Sequence, residues 1–289
     1  MGPHYLKRIF APESVAVIGA TTRKDSVGDR VFRNMIDAGY KGELYAVNPR
    51  YKEIHGKKCY PSLDEIGPPV ELAVIVLPAK VVPDVVRQCG ENGVRGIVVI
   101  SAGFREVGRE GERLEEQMME QARRYGIRII GPNCLGIMRP SVGLNATFSL
   151  NAALPGELAL VSQSGALCTS ILDWALHNKV GFSAMISMGA SADIDFGEAL
   201  DYLAADAKTK SILVYIEGIR KARRFMSGLR VAARMKPVVV AKAGRYAAGS
   251  RAAKSHTGSI VGSDDVFDAA LRRAGVVRVI TIDELFASA

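Results

Sequence analysis

The stretch best equipped for chemistry runs from Lys242 to Asp264, and within it K-S-H-T-G-S sets His256 among Ser255, Thr257, Gly258 and Ser259. It links an apolar run, Val238 to Ala241, to a helical pattern at Val266, Phe267, Ala270 and Leu271. Such connections usually take about two to six residues, so this one is unusually long. Small hydroxyl residues and glycine at the mouth of a helix leave backbone N–H groups exposed, and with the helix dipole these favour an anion. An imidazole placed there can accept and pass on a phosphoryl group. The plainer alternative is a solvated loop side chain, and structural context must decide.

Two other segments add to that chemistry. Val161-Ser162-Gln163-Ser164-Gly165-Ala166 runs from a strand into a helix, where free amides can hold inorganic phosphate or where a serine simply caps the helix. Leu213-Val214-Tyr215-Ile216-Glu217-Gly218 reads as a buried strand ending in a carboxylate, which must find a partner or shift its pKa. A carboxylate hydrogen-bonded to one imidazole nitrogen fixes the tautomer and leaves the other nucleophilic. Glu217 is therefore expected to orient His256.

The elements that must position these residues alternate. Strands are expected at Ser14 to Ile18, Leu44 to Val47, Leu72 to Leu77, Gly96 to Ser101 and Ile127 to Ile130. Helices fall between them, over Val27 to Gly39, Val81 to Asn92 and Glu110 to Tyr125. The pattern loosens near Leu144 to Pro155 and then restarts through strands at Leu158, Ser183, Ile212, Pro237 and Val276. This predicts an α/β protein of two doubly wound parallel-sheet domains, residues 1–148 and 149–289, with ligands beyond the carboxyl ends of the strands.

The first turn, Gly19 to Gly28, occupies a pyrophosphate-binding position but does not read G-x-G-x-x-G. The second strand ends in Asn48-Pro49-Arg50 instead of the acidic residue that holds a ribose hydroxyl. Both departures argue against a dinucleotide redox cofactor. Arg23, Lys24, Arg50 and Lys52 suit adenosine carrying extra phosphate, as in coenzyme A; an unliganded cation cluster is the alternative.

Composition narrows the classes further. With 48% hydrophobic and 24% charged residues the chain reads as ordinary globular protein. No apolar run approaches the roughly 18 residues of a membrane span and no secretory signal is evident, so a cytoplasmic location is expected. Cys59, Cys89, Cys134 and Cys168 form no C-x-x-C pair, so neither zinc nor disulfides are indicated and no metal site is expected. The net charge of +8 is local: eleven Lys and Arg, and no Asp or Glu, lie between Gly218 and Ser263. Without an RNA- or DNA-binding signature this favours a phosphorylated ligand or an acidic partner over nucleic acid. No P-loop is present to hold ATP. His55 falls in a turn, His177 at a helix end, and Asp195 with Glu198 in a capping arrangement.

Taken in order, V-A-V-I-G-A (Val15–Ala20), S-A-G-F (Ser101–Phe104), G-P-N-C-L-G (Gly131–Gly136), L-N-A-T-F (Leu144–Phe148), S-Q-S-G-A (Ser162–Ala166), Y-I-E-G (Tyr215–Gly218) and K-S-H-T-G-S (Lys254–Ser259) resemble the α-subunits of ADP-forming acyl-CoA (acetate–CoA) ligases, relatives of the succinyl-CoA synthetase α-subunit. The likeness extends over essentially the whole chain. It implies a Rossmann-like CoA-binding domain followed by a flavodoxin-like succinyl-CoA-synthetase-type domain. It further implies that Gly19, Thr21, Val47, Asn48, Pro49, Pro78, Ser101 and Asn133 line a coenzyme A site. Gln163, Ser164 and Gly165 become the phosphate-holding helix start, His256 the phosphoryl carrier and Glu217 its stabiliser.

The family's nucleotide-holding ATP-grasp domain is absent from this sequence. ADP or ATP with magnesium is therefore expected only through an ATP-grasp partner subunit or domain, in an oligomer, with a small carboxylic acid or its acyl-CoA as the other reactant. Similar domains also occur in protein lysine acetyltransferase-like proteins, where they regulate; the presence of both His256 and Glu217 favours the ligase.

Overall fold

The computed structural model describes residues 5–243 and 264–288. After a short helix α1 (Lys7–Phe10), β1 (Ser14–Ile18) leads to α2 (Val27–Asp37) and β2 (Glu43–Val47). A small hairpin, β3 (Glu53–Ile54) and β4 (Lys57–Tyr60), precedes β5 (Leu72–Ile75), α3 (Val82–Glu91), β6 (Gly96–Val99), α4 (Arg109–Tyr125) and β7 (Arg128–Ile130). These strands form one sheet in the order β3-β4-β2-β1-β5-β6-β7. The strands at its centre are buried on both faces, as their unbroken Val, Ile and Ala runs require.

The second sheet is built from β8 (Gly136–Arg139), β9 (Leu144–Thr147), β10 (Leu154–Ser162), β11 (Gly181–Ser187), β12 (Ser211–Ile216), β13 (Val238–Lys242) and β14 (Val277–Val279). Its helices are α5 (Gly165–Asn178), α6 (Phe196–Ala205), α7 (Ala222–Met235), α8 (Asp264–Ala274) and α9 (Ile282–Ala287). The order is β14-β13-β12-β10-β11-β8-β9. Its parallel part is flavodoxin-like, with the order reversing between β10 and β12. Two doubly wound sheets are therefore present, as the alternation predicts.

The halves meet differently from the expected division at residue 148. The hairpin β8–β9 precedes that point, yet β8 pairs antiparallel with β11 in the second sheet. On its other side β9 packs against the first half's α2, whose Asn34 amide donates to the carbonyls of Thr147 and Ser149. The segment resembles a linker in sequence because Asn145 and Thr147 are polar. They are buried and satisfy one another, Thr147 Oγ1 donating to Asn145 Oδ1 at 2.8 Å.

A backbone ladder completes the junction, with the amides of Ala190, Ala192 and Ile194 donating to the carbonyls of Pro132, Gly131 and Ile129. Arg128 reinforces it, reaching Asp193 at 2.8 Å and Glu198 at 2.7 Å. Burial alone would raise the Glu198 pKa, but the hydrogen bonds from Tyr5 and Arg128 prevail and hold it below the usual carboxylate range.

Candidate functional site

The first sheet reverses strand order between β1 and β5, and a cleft of about 620 Å³ opens beyond those strand ends. Gly19, Thr21, Val47, Asn48, Pro49 and Pro78 all line it, together with Arg23 and Arg50. Lys24 and Lys52, grouped with these arginines by sequence, are exposed and lie outside its lining.

Gly19 has φ +98°, and a Cβ there would meet the Val76 carbonyl oxygen at 2.8 Å and Leu77 Cδ2 at 2.9 Å. Gly28, in the first turn of α2, approaches the Gly19 carbonyl so closely that a Cβ would lie 2.2 Å from it. The helix start is thus pressed directly onto the end of β1.

Asn48 has a structural task here. Its Nδ2 donates to the Ala20 carbonyl at 2.8 Å and its Oδ1 accepts from the Arg50 amide at 3.0 Å, so one side chain fixes the turns after both β1 and β2. An acidic residue could not make the first of these bonds. Thr21 Oγ1 and the Tyr51 hydroxyl lie 2.8 Å apart across the cleft wall, a contact the sequence did not suggest.

A second cleft of about 610 Å³ adjoins the first and lies between the two sheets. Its walls include Ser101 and Asn133 from the first half and Gln163, Ser164 and Gly165 from the second. Sequence reasoning missed its apolar members, Val27, Ile100, Leu135 and Phe148, because nothing in a hydrophobic residue distinguishes a cleft wall from a core. Leu77 lines both clefts, and its amide donates to Ser101 Oγ at 3.2 Å. Cys134 lines the second cleft but is almost fully buried, and burial pushes its thiol up to about 12, so it stays protonated at neutral pH.

The second sheet's reversal lies at the inner wall of this cleft. The register sets Ser162 against Tyr215, which puts Gln163 beside the end of β12. Gln163 Oε1 accepts from the amides of Glu217 at 2.6 Å and Gly218 at 2.9 Å. The carbonyl end of that side chain is therefore committed to the loop carrying Glu217, leaving only its amide N–H₂ for an anion.

Ser164 Oγ caps α5 by accepting from the Leu167 amide at 3.2 Å, so the capping use of that serine is present. Gly165 stands at the first helical position on the cleft wall, with Ala166 next to it. First-turn amides have no intrahelical acceptor, and both residues line the cavity. A Cβ on Gly165 would come no nearer than 3.4 Å to Leu135, an ordinary contact, so space alone does not demand glycine here.

Glu217 is buried, at 8% exposure. Tyr215 on β12, two residues before it, has a raised pKa, caused first by burial and then by the Glu217 charge. His256 lies outside the described residues. The described chain resumes beside a charged cluster: Lys242 Nζ is 3.8 Å from Asp264 Oδ1, and Arg278 also binds Asp264. Burial lowers the Lys242 pKa, a shift that Asp264 partly opposes.

The remaining candidates fall into structural roles. His55 Nε2 lies 2.6 Å from Asp29 Oδ1, His177 Nδ1 lies 2.8 Å from the Asp173 carbonyl oxygen, and Asp195 Oδ1 caps α6 through the Glu198 amide. No group of three or more His, Cys, Asp and Glu suited to a metal occurs among the described residues, nor any helix long and apolar enough to cross a membrane.

Residues 13–140 match the family model described as a CoA binding domain, and residues 155–289 match that of a succinyl-CoA ligase like flavodoxin domain. The α subunit of the ADP-forming acetate–CoA ligase I of Pyrococcus furiosus is 46% identical over 285 residues, covering 97% of this chain and 62% of that protein. Over nearly its whole length the chain is similar to ADP-forming acetate–CoA ligases. A further relative, the ADP-forming acetate–CoA ligase I of Archaeoglobus fulgidus, is 47% identical over 281 residues, which is 97% of this chain and 41% of that protein. The structure of acetyl-coenzyme A synthetase 1 from Ca. Korarchaeum cryptofilum, in complex with phosphate and ADP, superposes with a TM-score of 0.93 at 38% identity, over 97% of this chain and 61% of that one. The chain thus spans between 41% and 62% of the length of these relatives.

Proposed function

We propose that this chain is the α-type part of an ADP-forming acyl-CoA ligase, interconverting acyl-CoA, ADP and phosphate with a carboxylic acid, CoA and ATP. The observation that carries the reading is the adjacency of the two clefts, which share Leu77 as a wall, the second of them reaching the Gln163–Gly165 turn, where the Gln163 side chain is tied to the Glu217 loop. Coenzyme A is long, with phosphorylated adenosine at one end and a thiol at the other. The first cleft suits the former, with Arg23 and Arg50 in its lining; the second suits the latter, with apolar residues on one wall and the first two residues of α5 on the other.

In the synthetic direction of acyl phosphate, a phosphate oxygen attacks the thioester carbonyl, the C–S bond breaks and CoA leaves as thiolate. The amides of Gly165 and Ala166 and the N–H₂ of Gln163 hold the phosphate and offset its charge. An imidazole nitrogen of His256 then attacks phosphorus, and the carboxylate departs with the bridging oxygen. Glu217 holds the imidazole's other N–H and stabilises the charged ring. The phosphoryl group passes from His256 to ADP, bound with magnesium by an ATP-grasp subunit or domain. That component holds the nucleotide, and His256 carries the group between the two places.

The test is to incubate the chain with an ATP-grasp partner from a related ligase and γ-labelled ATP. Acid-labile label should appear on the chain and be absent from His256→Asn. Label retained in His256→Asn would sink the carrier role. Calorimetry with CoA against NAD tests the first cleft separately, and tighter binding of NAD would overturn the CoA assignment.

A further inference from the structure

Glu115 lies on α4 of the first half, outside the lining of either cleft, and is only 3% exposed. A buried carboxylate requires partners, and this one has two arginines from different halves of the molecule. Arg105 Nε and Arg220 Nη1 each lie 3.1 Å from the same oxygen, Glu115 Oε1. Glu115 Oε2 is buried with no hydrogen-bond partner among the described residues.

What those arginines are attached to gives the arrangement meaning. Arg105 directly follows the Ser101–Phe104 segment, whose Ser101 and Ala102 form a wall of the second cleft. Its guanidinium also binds Glu112 at 2.7 Å, and the neighbouring Glu106 accepts from the Gly103 amide at 2.7 Å, so the segment is firmly tied to Arg105. Arg220 sits three residues past Glu217, in the loop whose Glu217 and Gly218 amides are held by Gln163. Lys221 of that loop donates to the Asp193 carbonyl. One buried carboxylate oxygen therefore joins the loop that meets CoA to the loop that presents Glu217. Without it, two guanidinium groups would face each other across the boundary between the halves.

We propose that Glu115 is a positioning residue that couples the CoA site to the phosphate site. A ligand pressing on Ser101 and Ala102 shifts Arg105, and the displacement reaches Arg220 and the Glu217–Gly218 amides through the shared oxygen. Phosphate at the Gln163 turn acts along the same path in reverse, as thermodynamic reciprocity demands. This rests on the ligand assignment given above.

The test titrates CoA calorimetrically into the full chain with and without saturating inorganic phosphate. In the wild type the two dissociation constants should differ by about fivefold or more, the usual lower range for coupled sites. In Glu115→Gln and in Arg220→Met that ratio should fall to about one, while CoA affinity without phosphate stays within about twofold; Arg220→Lys should restore part of the ratio. A role confined to stability would lower Tm and leave the ratio unchanged. A ratio of one in the wild type, or an undiminished ratio in Arg220→Met, overturns the proposal. Should Glu115→Gln fail to fold, Arg220→Met decides alone, because Arg220 is partly exposed. Failure of the wild type to bind CoA at all refutes the ligand assignment, and the coupling with it.

Discussion

The two strand-order reversals occupy equivalent places in their sheets but are built in different ways. At the first, a polar side chain braces the turns from within: Asn48 grips the Ala20 carbonyl and the Arg50 amide. Two glycines let a helix start press against a strand end. At the second, Gln163 reaches across to the neighbouring strand's loop and takes two amides from it. The difference teaches that the side chains which look most like ligand binders are largely occupied with shaping their turns. Backbone amides and open volume are what remain for a ligand.

Exchanges that keep the brace but alter its charge separate the two reversals most sharply. Gln163→Glu still accepts from Glu217 and Gly218, so the fold should persist, yet it sets a negative charge against the turn proposed to hold phosphate. Phosphate binding and acyl-phosphate formation should fall by about a hundredfold or more, roughly the effect of losing a transition-state donor, with CoA affinity nearly unchanged. Retained turnover would show that Gln163 never meets the anion.

Asn48→Asp makes the converse exchange at the first reversal. The carboxylate cannot donate to Ala20, so CoA affinity should drop about tenfold and stability by about 1–3 kcal/mol, the cost of leaving a buried acceptor unpaired. Phosphate binding should survive, and equal losses at both sites in calorimetry would erase the distinction between the reversals. Smaller still is Gly165→Ala, whose methyl would touch Leu135 without backbone strain. It should weaken phosphate several-fold by crowding the amides and leave Tm within about one degree, since surface changes of this kind cost little. Thr21→Val removes only the contact with Tyr51 and should raise the CoA dissociation constant about two- to threefold, consistent with one hydrogen bond of about 0.5 kcal/mol.

Much of the architecture was legible because parallel strands buried on both faces must be written as apolar runs, and β1, β5, β6, β12 and β13 are. The start of α5 was equally readable from Ser164, which accepts from the third residue onward. The β8–β9 hairpin escaped because its inward polar residues satisfy each other, a pairing that alternation cannot express. In the candidate site, the turns at Gly19, Asn48 and Gln163 were recognisable from position in the chain, whereas Pro78, Ser101 and Asn133 came only from the family resemblance. Leu77 and Phe148 were not recognisable, since what marks them is cavity beside them. Glu115 was hidden for another reason: on a highly charged helix a buried carboxylate has the same spelling as a solvated one.

The hairpin ahead of residue 148 bears on how this protein can be divided at the bench. Severed there, the amino-terminal piece would carry off two strands belonging to its neighbour's sheet, and the remainder would present β11 as a raw, sticky margin prone to precipitation. Separately expressed halves are thus poor surrogates for ligand screening. A genetic split placed before Gly136 would keep the hairpin with its own sheet but strip the cover from α2, so the intact chain is the smallest reagent worth purifying.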